Sequence, residues 1–167
     1  MNWMRYLVYS MVGVVAILGF QWQLDRQAEA TQDAADLVVI GRQVYISEGC
    51  IHCHSQYVRP VGRDRELWGA STSVDRALSQ EPVLIGNRRQ GPDLANVGDR
   101  RSAEWNRLHL IAPSSVVLGS RMPSYGHLFE PDSEQGEALL VYLDSLHADT
   151  LITDNTLLEV HGRGQEL

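Results

Sequence analysis

The chain has 167 residues, enough for one domain with short additions, and carries 14 Arg, no Lys and 21 acidic residues for a formal net charge of −7. The negative charge lies mainly in residues 108–167, with two Arg against nine acids, whereas residues 41–107 hold ten Arg against eight acids. This balance excludes a nucleic-acid binder, which needs a basic footprint, and permits a basic area and an acidic area that orient docking to partners.

Residues 6–24 contain no charge. As a helix they would reach about 28 Å, close to the thickness of a hydrocarbon core. Trp3 and Tyr6 flank one end and Phe20 and Trp22 the other, where interfacial aromatic residues sit. Residues 1–24 are therefore expected to form a single transmembrane anchor, with Arg5 favouring a cytoplasmic N-terminus. A cleaved signal peptide ending near Ala28-Glu29-Ala30 is the competing expectation. Residues 25–36 are polar and Ala-rich, and continue the helix or form a linker. Leu37, Ile40, Val44 and Tyr45 recur at helical spacing, so a helix is expected from 37 to Gly49.

Cys50-Ile51-His52-Cys53-His54 is C-x-x-C-H, the attachment sequence of a c-type haem. Its two thiols form thioethers with the haem vinyl groups, and the histidine ligates the iron. Both cysteines of the chain lie in this motif, which occurs once, so one haem is the ceiling. No βαβ pattern surrounds it, as a thioredoxin-like pair would require.

Residues 56–90 read as an irregular segment wrapping the porphyrin edge. Ser102 is placed to cap a helix from Ala103 to Ile111, with Trp105, Leu108 and Ile111 on one face. Pro131-Asp132-Ser133-Glu134 reads as the start of a last helix in which Leu139, Tyr142, Leu143 and Leu146 form a stripe packing across the helix at 37–49. The cytochrome domain is thus 37–147, with an acidic tail at 148–167.

Within that domain His54 is the proximal metal ligand. Met122 is the only methionine outside the first 24 residues; it stands in a polar Met-Pro loop, and is the candidate for the sixth position. Methionine–histidine ligation raises the reduction potential and suits electron transfer. The alternatives are His127, then His109, His147 and His161. A carbonyl in the Gly91-Pro92-Asp93-Leu94 turn, that of Pro92, is the candidate partner for the His54 Nδ1–H. Arg59, Arg88 and Arg89 are candidates for pairing with the anionic haem propionates, and Trp105 and Tyr125 for contacts with the haem edge.

Residues Gly41–Pro60 (GRQVYISEGCIHCHSQYVRP), Arg88–Gly98 (RRQGPDLANVG), Glu104–Pro113 (EWNRLHLIAP) and Arg121–Tyr125 (RMPSY) together resemble the mono-haem subunit II of cbb-type (C-family) haem-copper cytochrome c oxidases. The chain departs from the family pattern over residues 67–86 and in the short connection after Tyr125. The resemblance implies a mainly α, class I cytochrome c fold with one covalent haem c, and iron ligation by His54 and Met122. It also implies single-electron transfer to a large oxygen-reducing haem-copper subunit alongside other cytochrome c subunits. No small-molecule substrate and no chemistry of its own are expected. The implied location is the bacterial cytoplasmic membrane, single-pass, with the haem domain in the periplasm. A free-standing anchored cytochrome c carrier is the alternative, and a haem sensor with a labile sixth ligand is a third.

Overall fold

The computed structural model describes residues 3–86 and 88–148, without the side chains of residues 4–8 and 10. It is mainly α-helical, as expected, and among the described residues the only β pairing is an isolated parallel bridge between Ser55 and Asp93. The chain divides into two compact units, Met1–Asp36 and Leu37–Leu167. The tail expected beyond 148, and with it His161, lies outside the described residues.

Helix α1 runs from Trp3 to Ser47 without interruption, so residues 25–36 continue the helix. Its first unit carries exposed apolar side chains, among them Met11, Val12, Val15, Ile17 and Phe20. The expected anchor over residues 6–24 falls in this stretch, yet among the described residues no helix is long and apolar enough to cross a membrane.

In the second unit, α1 meets the last helix, α6 (Gln135–Asp144), at Gly41. A Cβ there would stand 1.9 Å from the Ala138 carbonyl oxygen, so only glycine lets the two backbones approach this closely. One turn on, the Tyr45 and Tyr142 rings pack 5.7 Å apart. Leu139, Tyr142, Leu143 and Leu146 are all buried, as their period predicts, and join Val44, Tyr45, Leu110 and Leu128 in one core. Burying each such leucine contributes about 2 kcal/mol.

Between α1 and α6 the chain forms four short helices. α2 (Gly62–Trp68) and α3 (Val74–Leu78) replace the irregular segment expected there; Ser73 caps α3 by accepting the Arg76 N–H at 3.1 Å. α4 (Ala103–Ile111) starts as expected, with the Ser102 hydroxyl accepting the Trp105 N–H at 3.2 Å. Its buried residues are Asn106 and Leu110, however, while Leu108 and Ile111 are exposed. α5 (Pro113–Val116) follows at once. α6 begins after the expected Pro131–Glu134 start, with the Ser133 hydroxyl accepting the Gln135 N–H at 3.4 Å.

Candidate haem site

Gly49 follows α1 in the left-handed region, φ 68°, where a side chain would be strained. The chain then closes a single 3₁₀ turn over Cys50–His52, with the Cys53 and His54 N–H groups both donating to the Cys50 carbonyl at 3.2 and 2.9 Å. This turn presents Cys50, Cys53 and His54 to one cavity and leaves His52 exposed. The two cysteines do not form a disulfide with each other. Burial pushes the Cys50 thiol up to about 11.

His54 Nδ1 lies 2.8 Å from the Pro92 carbonyl oxygen. A carbonyl only accepts, so Nδ1 carries the hydrogen and Nε2 keeps its lone pair. Burial, the largest influence, holds the ring below its ordinary pKa against the opposing pull of the Pro92 carbonyl and Asp93. The imidazole is thereby kept neutral with one nitrogen free to ligate. Gly91 makes room for it: a Cβ there would stand 2.3 Å from His54 Cε1.

The cavity measures about 530 Å³, within the range of small-molecule and cofactor sites. Besides the three motif residues it is lined by Pro92, Trp105, Met122 and Tyr125 from the expected set, and by apolar Leu94, Val97, Leu110, Leu139 and Leu143. Met122 is partly buried on the loop after α5, which is tied to α4 by Tyr125 N–H donating to the Leu110 carbonyl at 2.8 Å. Burial raises the Tyr125 phenol. Among the alternative ligands in the described residues, only His109 lines the cavity. His127 is exposed, with Nε2 3.3 Å from the Glu48 carboxylate, and His147 Nδ1 lies 2.6 Å from Asp99.

The three expected propionate partners are placed elsewhere. None of Arg59, Arg88 and Arg89 lines the cavity. Arg59 forks onto Asp64 through Nε and Nη2 at 2.7 and 3.0 Å. Arg89 donates to Ser55 Oγ, the Asp64 carboxylate and the Tyr57 carbonyl, and packs 4.5 Å above the Trp68 ring. Arg88 is exposed. The cavity instead has Arg100 and Arg101 on its wall. Arg101 lies 4.3 Å over Trp105, whose other neighbour is the His109 ring, stacked at 4.7 Å and 14°. Arg100 donates to the Asp93 and Asn96 carbonyls. Asn106, absent from the sequence expectations, and His109, one of the alternative ligands, line the cavity with unpartnered polar atoms: among the described residues, Asn106 Nδ2 and His109 Nδ1 are buried without a hydrogen-bond partner.

These residues fit a haem. Two thiols, a neutral imidazole and a thioether face a largely apolar cavity of suitable size, and Asn106 Nδ2 is a buried donor that needs a polar group inside it. Among the described residues no cluster of three or more His, Cys, Asp or Glu could hold a bare metal ion. The sequence model of the family described as cytochrome c oxidase, mono-heme subunit/FixO matches residues 1–148. The chain belongs to this family. No curated protein matches it. As a FixO-family chain it is a mono-haem subunit of a cytochrome c oxidase, which fits the single C-x-x-C-H motif and the cavity that motif faces.

Proposed function

We propose that this chain is a membrane-anchored class I cytochrome c that relays single electrons to the catalytic haem-copper subunit of a cbb-type terminal oxidase, with its haem domain in the periplasm. One observation carries the reading: His54, fixed on the Pro92 carbonyl, shares a cavity with Cys50, Cys53 and Met122. Cys50 and Cys53 would hold a haem by thioether bonds, and His54 and Met122 would ligate its iron. Bound haem supplies a one-electron iron couple.

The chain's own residues do the rest. The Pro92 carbonyl orients the imidazole and makes it a better donor. With haem bound, Met122 would ligate the iron and leave no open site for oxygen or peroxide, and as a thioether it would favour the reduced state. Leu94, Val97, Leu139 and Leu143 exclude water, so little solvent rearrangement accompanies a change of charge. Arg101, Trp105 and Asn106 are the polar groups at hand for the acidic edge of the cofactor. Membrane attachment is supported by family membership and by the exposed apolar residues along the first unit of α1.

The test is affinity purification from detergent-solubilised membranes, read by haem-stained gels and visible spectra. A haem-staining band co-purifying in fixed ratio with a b-haem subunit is the expected result. Recovery of this cytochrome alone would make it an independent carrier. Met122→Ala should abolish the weak far-red sulfur-to-iron absorption band while the covalent haem stain persists; a band that survives would remove Met122 from the ligand set.

A further inference from the structure

The cytochrome reading leaves a buried charge unexplained. Asp93 is fully buried, 0% exposed, in the turn that supplies the Pro92 carbonyl. A buried carboxylate is costly unless donors surround it. Asp93 has four: Oδ2 accepts from Ser55 Oγ at 2.5 Å, from the Tyr57 N–H at 3.0 Å and from Arg89 Nη2 at 3.3 Å, and Oδ1 accepts from the Ala95 N–H at 2.8 Å. Replacing such a group by an apolar one often costs a fold nothing, so stability alone is a poor reason for it.

Its position suggests a better one. Ser55 directly follows His54, and Asp93 directly follows Pro92. The two segments run parallel at this point, bridged between Ser55 and Asp93, and the Leu94 N–H donates to the Ser55 carbonyl at 2.7 Å. Just before the pair, the Gln90 and Gly91 N–H groups donate to the Cys53 carbonyl at 2.8 and 2.9 Å. The His54–Pro92 hydrogen bond is therefore held between a backbone tie on one side and a serine–carboxylate clamp on the other. Arg89 braces the clamp by donating to Ser55 Oγ at 2.5 Å as well as to Asp93. A slip of either segment by a fraction of an ångström would lengthen or bend the bond that sets imidazole orientation and basicity.

We infer that Asp93, braced by Ser55 and Arg89, is a positioning residue for His54: resting on the haem reading above, it fixes the register that makes the imidazole a strong, correctly turned donor. The experiment uses the full chain carrying its haem. Asp93→Asn keeps size and loses the charge. The expected result is a folded, haem-loaded variant whose His54 ring N–H exchanges with solvent roughly ten-fold faster in the reduced protein, as loss of about one hydrogen bond's worth of protection implies. Its midpoint potential should rise, because a weaker ring donor stabilises the ferric state less. Leu140→Ala removes a buried core side chain that does not line the cavity, and should lower the melting temperature while leaving both readouts unchanged. Wild-type exchange and potential in haem-loaded Asp93→Asn overturn the inference. If that variant does not accumulate, Ser55→Ala, which removes one donor of the clamp, is read by the same two measurements with the same meanings. A wild-type chain that takes up no haem fails the underlying cytochrome reading, an outcome distinct from a haem-loaded variant that behaves as wild type.

Discussion

On the His54 side of the cavity, residues 53–57 and 89–95 are joined by buried, charge-assisted hydrogen bonds centred on Asp64 and Asp93. On the Met122 side, residues 117–125 are held by neutral bonds: Ser120 N–H to the Val117 carbonyl at 3.0 Å, Met122 N–H to Ser120 Oγ at 3.3 Å, Ser124 Oγ to the Ile111 carbonyl at 2.6 Å, and Tyr125 N–H to the Leu110 carbonyl. Leu118, in the middle of this stretch, is 98% exposed. The difference teaches where each ligand candidate gets its position. His54 is placed by desolvated charge that tolerates little displacement, whereas Met122 is placed by neutral hydrogen bonds within its own loop and from that loop to α4.

Glycine substitutions break this comparison most directly. Gly91→Ala drives a methyl group into the His54 ring, and should cost about 3 kcal/mol as an overpacked site and sharply reduce haem-stained protein; a normal yield would show that the ring has room to move. Next is Asp64→Asn. The Arg59 guanidinium first, and Arg89 beside it, hold the Asp64 carboxyl well below the usual carboxylate range against the opposing effect of burial. A depressed folded-state pKa stabilises the protein above the ordinary carboxylate value of about 4 and is lost as pH falls below it. Asp64→Asn should therefore cost about 2 kcal/mol at neutral pH, with the gap to wild type narrowing in melts at about pH 3. A gap independent of pH would mean the carboxylate is not the stabilising group.

Across the cavity the same kind of change is milder. Gly119 has φ 76° but open space where a Cβ would go, so Gly119→Ala should cost only about 1 kcal/mol of backbone strain, measurable by denaturant titration. Smallest of all, Leu118→Ser should stay within about 0.5 kcal/mol of wild type. A larger loss at either position would show that the Met122 segment is tied down by contacts comparable to those around His54.

The legible part of this chain was whatever local chemistry dictates. The C-x-x-C-H turn, the Ser102 cap and the Leu139–Leu146 stripe follow from residue type and spacing, and the Gly-Pro turn offered a carbonyl where an imidazole needs one. Long-range competition was not legible. Arg59 and Arg89 look alike as partners for haem acids until the fold brings Asp64, 25 residues from Arg89, against both of them. Arg100-Arg101 and Arg88-Arg89 are the same dipeptide, and only the fold shows which pair reaches the cavity wall. The face of α4 was misread because Trp105 stacks on His109 toward the cavity, which turns Asn106 and Leu110 inward and Leu108 and Ile111 out. Helices α2 and α3 are too short to carry a period; the Ser73 cap was their one local signal.

The close approach of Gly41 to Ala138 has a consequence for how the polypeptide is made. α6 supplies Leu139 and Leu143 to the cavity, so the wall facing the cofactor stays open until nearly the whole chain has been synthesised. Since segments emerge from the ribosome N-terminus first, the attachment cysteines exist as an exposed turn long before the pocket that would enclose their product. A chain stopped ahead of residue 135 would keep both cysteines and lack the part of the wall that Leu139 and Leu143 form.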